Sequence, residues 1–154
     1  MEKKKITILY IDDELNNLIS FKAAFRLKYN IITALSGEEA ISLLNEEKVD
    51  IIITDQRMPK MTGVEFLESI LSQHPEPMRI LLTGYADMNA VVDAVNKGKI
   101  FHYLSKPWNE EELDMTITKA YEVYRKKMEL IEEKAQVEET VQQLEFLLRQ
   151  KLLS

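Results

Sequence analysis

Five times along this chain, a short run rich in β-branched and aliphatic residues gives way to a segment with apolar residues at helical spacing. The runs cover residues 6–11, 30–35, 49–54, 78–82 and 100–104, and each is short enough to be a buried strand. Between them, Leu15, Leu18, Ile19 and Phe25 mark a first helix. Ser36-Gly37-Glu38-Glu39 opens a second with a capping box. Gly63 frees the backbone ahead of a third, carrying Val64, Leu67, Ile70 and Leu71 and closed by His74-Pro75. Asp87 caps a fourth that runs to Val95 and stops at Gly98, and the capping box Asn109-Glu110-Glu111-Glu112 starts a fifth. With short loops and right-handed crossovers, this alternation defines an α/β fold, a doubly wound five-stranded parallel sheet.

In such a sheet, chemistry sits beyond the carboxyl ends of the strands. The first strand ends in Asp12-Asp13-Glu14, the third in Asp55, the fourth in Thr83 and the fifth in Ser105-Lys106-Pro107. Taken alone, Asp55 also fits a strand-end turn aspartate. Carboxylates converging on one edge with a lysine are another matter. Crowded carboxylates repel, and a divalent cation relieves them. Mg²⁺ takes oxygen ligands and commonly keeps phosphate oxygens among them. The set therefore reads as a Mg²⁺ site with room for a phosphoryl group. Lys106 balances its charge, Thr83 donates a hydroxyl, and Asp55 is placed as a nucleophile able to form an acyl phosphate.

Several classes fall away. The chain has neither Gly-x-Gly-x-x-Gly nor Gly-x-x-x-x-Gly-Lys-Ser/Thr, the phosphate cradles of dinucleotide and P-loop proteins. A net charge of −6 over 154 residues argues against a general nucleic-acid binder. Without cysteine there is neither disulfide nor thiolate metal site. No apolar run approaches the ~18 residues of a membrane span, so a cytoplasmic protein is expected. His74 and His102 lack partner motifs, and Trp108 reads as packing or surface rather than function.

Ile11-Asp12-Asp13-Glu14, Asp55-Gln56-Arg57-Met58-Pro59-Lys60-Met61-Thr62-Gly63, Leu82-Thr83-Gly84-Tyr85 and Tyr103-Leu104-Ser105-Lys106-Pro107 together resemble the receiver domain of two-component response regulators. The resemblance runs over residues 4–124. It implies that Asp55 accepts a phosphoryl group from the phosphohistidine of a histidine kinase or phosphotransfer protein. It also implies that Asp12, Asp13, Asp55 and the Arg57 backbone carbonyl hold Mg²⁺, and that Lys106 pairs with Asp55 next to a cis Lys106-Pro107 peptide. Thr83 and Tyr103 would be the switch pair, and Arg57 and Tyr85 would set the phosphate's lifetime. Such a domain is not an enzyme beyond catalysing its own phosphorylation and slow dephosphorylation. One departure is an extra residue between Gly98 and Tyr103, which alters the approach to the fifth strand. In that respect the chain looks like receivers ahead of transcription-activator or cyclic-dinucleotide output domains, although no output domain is expected here.

From Trp108 to Ser154 there is neither glycine nor proline, so one helix on the order of 65–70 Å long is expected. Its second part, over 125–154, is expected to be a coiled-coil extension making a parallel homodimer. Tyr124, Met128, Ile131 and Ala135 form one apolar run and Val137, Val141, Leu144 and Leu148 another, about one position out of register. The alternatives are a stripe folded back on the same domain, or one left over from a larger protein. Two further functions compete: a non-phosphorylated pseudo-receiver acting as a coiled-coil scaffold, and a phosphatase of the haloacid dehalogenase type. The latter needs Asp-x-Asp on its first strand, whereas these acids are adjacent.

Overall fold

A computed structural model describes residues 5–84, 87–97 and 99–154. Five strands and five helices alternate through it: β1 (Thr7–Ile11), α1 (Leu15–Phe25), β2 (Asn30–Ala34), α2 (Gly37–Glu46), β3 (Ile51–Asp55), α3 (Gly63–Ser69), β4 (Met78–Thr83), α4 (Met88–Asn96), β5 (His102–Ser105) and α5 (Glu110–Leu153). The strands form one parallel sheet in the order β2-β1-β3-β4-β5. β3 is therefore central, and the chain reverses direction across the sheet between β1 and β3, where such folds open a crevice.

The period-2 alternation of strand side chains divides the core in two. Ile8, Tyr10, Ile51, Ile53, Ile80 and Leu82 point to one face, where α1 and α5 cover them with Phe21, Phe25, Leu113 and Ile117. Leu9, Ile11, Ile52 and Leu81 point to the other, under α2, α3 and α4. Each such fully buried aliphatic contributes about 1.5–3 kcal/mol. On α1 the inward stripe is Leu18, Phe21 and Phe25. Leu15 and Ile19, expected within it, are more than half exposed, because a helix on one sheet face buries a single narrow row. Of the two readings of Trp108, packing holds: its ring lies against Phe21 and Phe25.

Helix starts follow the capping chemistry with three refinements. Ser36 Oγ accepts from Glu39 N at 3.2 Å, but the Glu39 carboxylate takes Leu35 N rather than the cap amide. Asn109 Oδ1 accepts from Glu112 N at 3.1 Å. The full reciprocal box is on α3, between Thr62 and Glu65, and Thr62-x-x-Glu65 was legible for it. Asp87 occupies the cap position of α4 without capping it, contrary to expectation.

β5 begins two residues later than the apolar pattern indicates. Arg79 holds the approach: its Nε donates to the Lys99 carbonyl at 2.8 Å and its Nη1 to the Pro77 carbonyl at 3.1 Å. Burial pushes the guanidinium below its ordinary pKa. The Gly98 stop lies outside the described residues.

α5 has 44 residues, about 66 Å. Leu113, Thr116, Ile117, Ala120 and Tyr124 are buried. Tyr124 was expected on the dimer face. It is instead 6% exposed, because the helix still crosses the sheet's lower edge there. One turn on, Met128 is half-buried and Lys127 Nζ donates to the Pro75 carbonyl at 3.3 Å. Every residue from Glu129 onward is exposed, including Leu130, Ile131, Val137, Val141, Leu144 and Leu148. No helix among the described residues is long and apolar enough to cross a membrane.

Candidate functional site

Asp55 is the last residue of β3, and the strand's hydrogen bonds to its neighbours fix its backbone. Asp12 follows β1, and its amide still bonds the Ala34 carbonyl at 3.1 Å. Asp13 has left the sheet and is exposed. Each of the three offers a carboxylate oxygen within 4.8 Å of the other two.

Lys106 reaches this cluster from the end of β5, two strands away. Its amide bonds the Thr83 carbonyl at 2.9 Å, the Lys106-Pro107 peptide is cis, and its Nζ lies 2.5 Å from Asp55 Oδ1 and 3.8 Å from Asp12 Oδ2. Burial raises the pKa of Asp55 above its ordinary value. The Lys106 ammonium opposes that rise, and the charges of Asp12 and Asp13 add to it. Asp55 is thus a poorly solvated carboxylate paired with a single lysine. An open cleft lined by Asp13, Asp55, Arg57, Gly84, Asp87 and Lys106 leads to it.

The donor set suits Mg²⁺: three carboxylates from three chain positions, all hard oxygens, with solvent on the Asp13 side. Asp12, though fully buried, is satisfied. Its Oδ2 accepts from Tyr10 Oη and Asn17 Nδ2, each at 3.0 Å, and its Oδ1 from Glu14 N at 3.0 Å. Those donors fix the rotamer, as outer partners of a metal ligand do. Tyr10 lies beneath Asp12 on the same strand face, stacked on Phe21 at 4.2 Å. Burial first, then Asp12, drives its phenol pKa well above the ordinary value, so it stays a donor.

The turn after Asp55 is built by backbone geometry. Gln56, 5% exposed, accepts Gly63 N on its carbonyl and Val64 N on Oε1, both at 2.9 Å, so it closes the loop and caps α3. Gly63 sits so close to the strand that an added Cβ would lie 2.4 Å from the Asp55 carbonyl oxygen. Lys60, at φ 70°, takes the left-handed conformation at the tip of this turn, a local cost of about 1 kcal/mol.

All five strand-end residues, Asp12, Asp13, Asp55, Thr83 and Lys106, come to one edge. Thr83 is buried, its hydroxyl donating to the Gly84 carbonyl at 3.1 Å. Tyr103 is half-buried, packed against the core beside α4 with its ring near His102. The Arg57 side chain points away from Asp55 and pairs with Asp87 at 3.0 Å. Tyr85 lies outside the described residues. Sequence reasoning missed Tyr10, Asn17, Gln56 and Thr62 as supports. Tyr10 carried a signal, two residues before Asp12 on a strand; the partners of Asn17 and Gln56 are set by loop closure and carried none.

A five-stranded parallel sheet in the order 2-1-3-4-5, with acids after β1, an aspartate ending the central strand and a lysine after β5, defines a response regulator receiver. The chain belongs to the response regulator receiver domain family, whose model matches residues 8–118. It is similar to the hydrogenase transcriptional regulatory protein HoxA of Cupriavidus necator, with 36% identity over 122 residues, covering 79% of this chain and 25% of HoxA. It also resembles the transcriptional regulatory protein GlrR of Escherichia coli, with 33% identity over 124 residues, covering 79% of this chain and 28% of GlrR. The chain thus spans about a quarter of the length of the curated relatives it matches. Among solved structures it resembles the signal receiver domain of an HD domain-containing protein from Pseudomonas fluorescens, at TM-score 0.77 and 32% identity, covering 84% of this chain and 96% of that one. A receiver domain protein from Clostridium thermocellum aligns at TM-score 0.73 and 33% identity, covering 80% and 98%.

Proposed function

We propose that Asp55 is the phosphoacceptor of a two-component relay. The observation that carries this is the Lys106 Nζ–Asp55 Oδ1 contact of 2.5 Å inside a cluster of three carboxylates. An Asp55 carboxylate oxygen attacks the phosphorus of a phosphohistidine on the cognate kinase or phosphotransfer protein. The P–N bond breaks, the imidazole leaves with the electron pair, and an acyl phosphate forms. Asp12, Asp13 and Asp55, with the Arg57 backbone carbonyl, would hold Mg²⁺, which when bound offsets charge on the phosphoryl oxygens. Lys106 exchanges its carboxylate partner for a phosphoryl oxygen, and the Thr83 hydroxyl leaves the Gly84 carbonyl to donate to another. Tyr103 then follows into the space behind Thr83, altering the surface of α4, β5 and α5. Arg57 and Tyr85 hold the sequence positions that, in receivers of this kind, set how long the acyl phosphate lasts.

We infer two units, a receiver over 4–124 and a helical extension over 125–154, whose first turn leans on the domain through Lys127 and Met128. The exposed run of Ile131, Val137, Val141, Leu144 and Leu148 supports self-association, as a parallel homodimer. No direct nucleic-acid or membrane contact and no turnover of an external substrate are part of this reading, which places the protein in the cytoplasm. The test is intact mass after incubation with acetyl phosphate and Mg²⁺, for the wild type and Asp55→Asn. One phosphoryl adduct in the wild type alone, lost when Mg²⁺ is chelated, is expected. No adduct in either protein refutes the phosphoacceptor role.

A further inference from the structure

The carboxylate of Asp87 is engaged in an unusual way for its position. The residues preceding the other four helices, Glu14, Ser36, Thr62 and Asn109, have extended backbones with ψ between 114° and 164°. Three of them, Ser36, Thr62 and Asn109, lend a side-chain oxygen to the first turn. Asp87 sits at φ −107°, ψ 10° and makes no cap bond, although aspartate ranks among the best capping residues. Its Oδ2 accepts instead from Arg57 Nε at 3.0 Å. Arg57 stands on the loop after β3 and Asp87 on the loop after β4, and both line the cleft that holds Asp55 and Lys106. The Arg57 side chain is 72% exposed, so the pair is weak and solvent-screened. The first turn of α4 goes without its cap for the sake of a bond that is easily lost.

Resting on the phosphoacceptor reading above, we infer that Arg57 and Asp87 form a partner-exchange switch between the phosphorylation site and α4. A phosphoryl group on Asp55 brings up to two negative charges into the cleft that Arg57 already lines. A guanidinium fork fits phosphate oxygens in pairs, and a dianion competes well against one exposed carboxylate. Arg57 turns to the phosphoryl group and lets go of Asp87. The freed carboxylate, favoured by the positive end of the helix, moves to accept from the amide of Asn89 or Ala90. Asp87 is a positioning residue in this scheme. It holds Arg57 aside before phosphorylation and caps α4 after it. The exchange moves only hydrogen bonds, and it reaches α4 by a route separate from Thr83 and Tyr103.

The test is amide hydrogen exchange at Asn89 and Ala90 in the full chain, with and without acetyl phosphate and Mg²⁺, the adduct being counted by intact mass. Wild type is expected to exchange roughly fivefold more slowly at one of these amides once phosphorylated, the protection one cap confers. Arg57→Ala releases Asp87 outright and shows that protection without phosphate. Asp87→Asn, a good cap but a far weaker partner for a guanidinium, shows it in both states. Asp87→Ala shows it in neither. A wild type that carries the adduct without the slowing overturns the switch, as does Asp87→Ala slowing like the wild type. Absence of any adduct counts against the phosphoacceptor reading instead. The Arg57→Ala comparison needs no phosphate, and unchanged exchange there overturns the switch by itself.

Discussion

Gly63→Ala is a one-carbon change with a large expected effect. The added Cβ would stand 2.4 Å from the Asp55 carbonyl oxygen, 3.1 Å from its carbonyl carbon and 2.7 Å from Leu81 Cδ1. Leu81 can rotate away. The Asp55 carbonyl cannot, because β3 is the central strand, paired on both sides. The start of α3 must then move out by close to 1 Å, stretching the 2.9 Å bonds from Gly63 N and Val64 N to Gln56. Overpacking of this kind costs about 1–3 kcal/mol, and weakening two hydrogen bonds adds about 1 kcal/mol. Restricting the unfolded chain gives back about 0.4–1 kcal/mol. The net loss is about 2–3 kcal/mol, and for a chain of this size about 5–10 °C in Tm. Thermal unfolding followed by circular dichroism measures it, with Gly37→Ala as the control. There the Cβ meets only the Met61 sulfur and Phe66 ring at 3.3 Å, side chains able to yield. A Gly63→Ala protein melting within about 2 °C of wild type would refute the close-approach reasoning.

Three other outcomes are expected. Asp114 accepts from the Tyr29 hydroxyl and from Lys28 Nζ at 3.0 Å. Burial tends to raise its pKa, but these two bonds outweigh that and hold it below the ordinary 3.8; in return, burial first and then Asp114 lift the Tyr29 phenol to about 12. A depressed carboxyl pKa means the unfolded chain binds the proton first, so Asp114→Asn loses about 1 kcal/mol at neutral pH. Urea midpoints across pH should show that difference fading as pH falls from 3.8 through the depressed value; a pH-independent difference contradicts the assignment. Tyr10→Phe leaves the packing intact but takes one donor from the fully buried Asp12, lowering stability by about 1–2 kcal/mol in urea unfolding; an unchanged midpoint argues against the bond. Ending the chain after Ala135 removes only exposed residues, so the Tm of the domain should stay within about 2 °C while sedimentation loses any dimer. A large drop in Tm for that monomer means the distal helix supports the fold.

The sequence carried the fold because the pattern behind it is local. Period-2 runs of Ile, Leu and Val and the cap residues Ser36 and Asn109 act through neighbours a few residues away. Strand ends can be read for the same reason, so Asp12, Asp13, Asp55, Thr83 and Lys106 could be placed on one edge before any coordinates. What went astray depended on distant partners. Asp87 looks like a cap but finds Arg57, thirty residues earlier; Tyr124 continues an apolar stripe but meets the sheet's lower edge.

By itself, then, the sequence determined the order of strands and helices, the edge where charge gathers and the length of the last helix, since each follows from propensity and periodicity along the chain. Tertiary structure alone decided the 2-1-3-4-5 order that puts Asp55 at the centre and the span of Lys106 across β4 to reach it. It also decided the pairing of Lys28 and Tyr29 with Asp114 and the Leu81 side chain that crowds Gly63. Those are distances between segments far apart in the chain. They are set by how the two sheet faces pack, and no local pattern of residues encodes them.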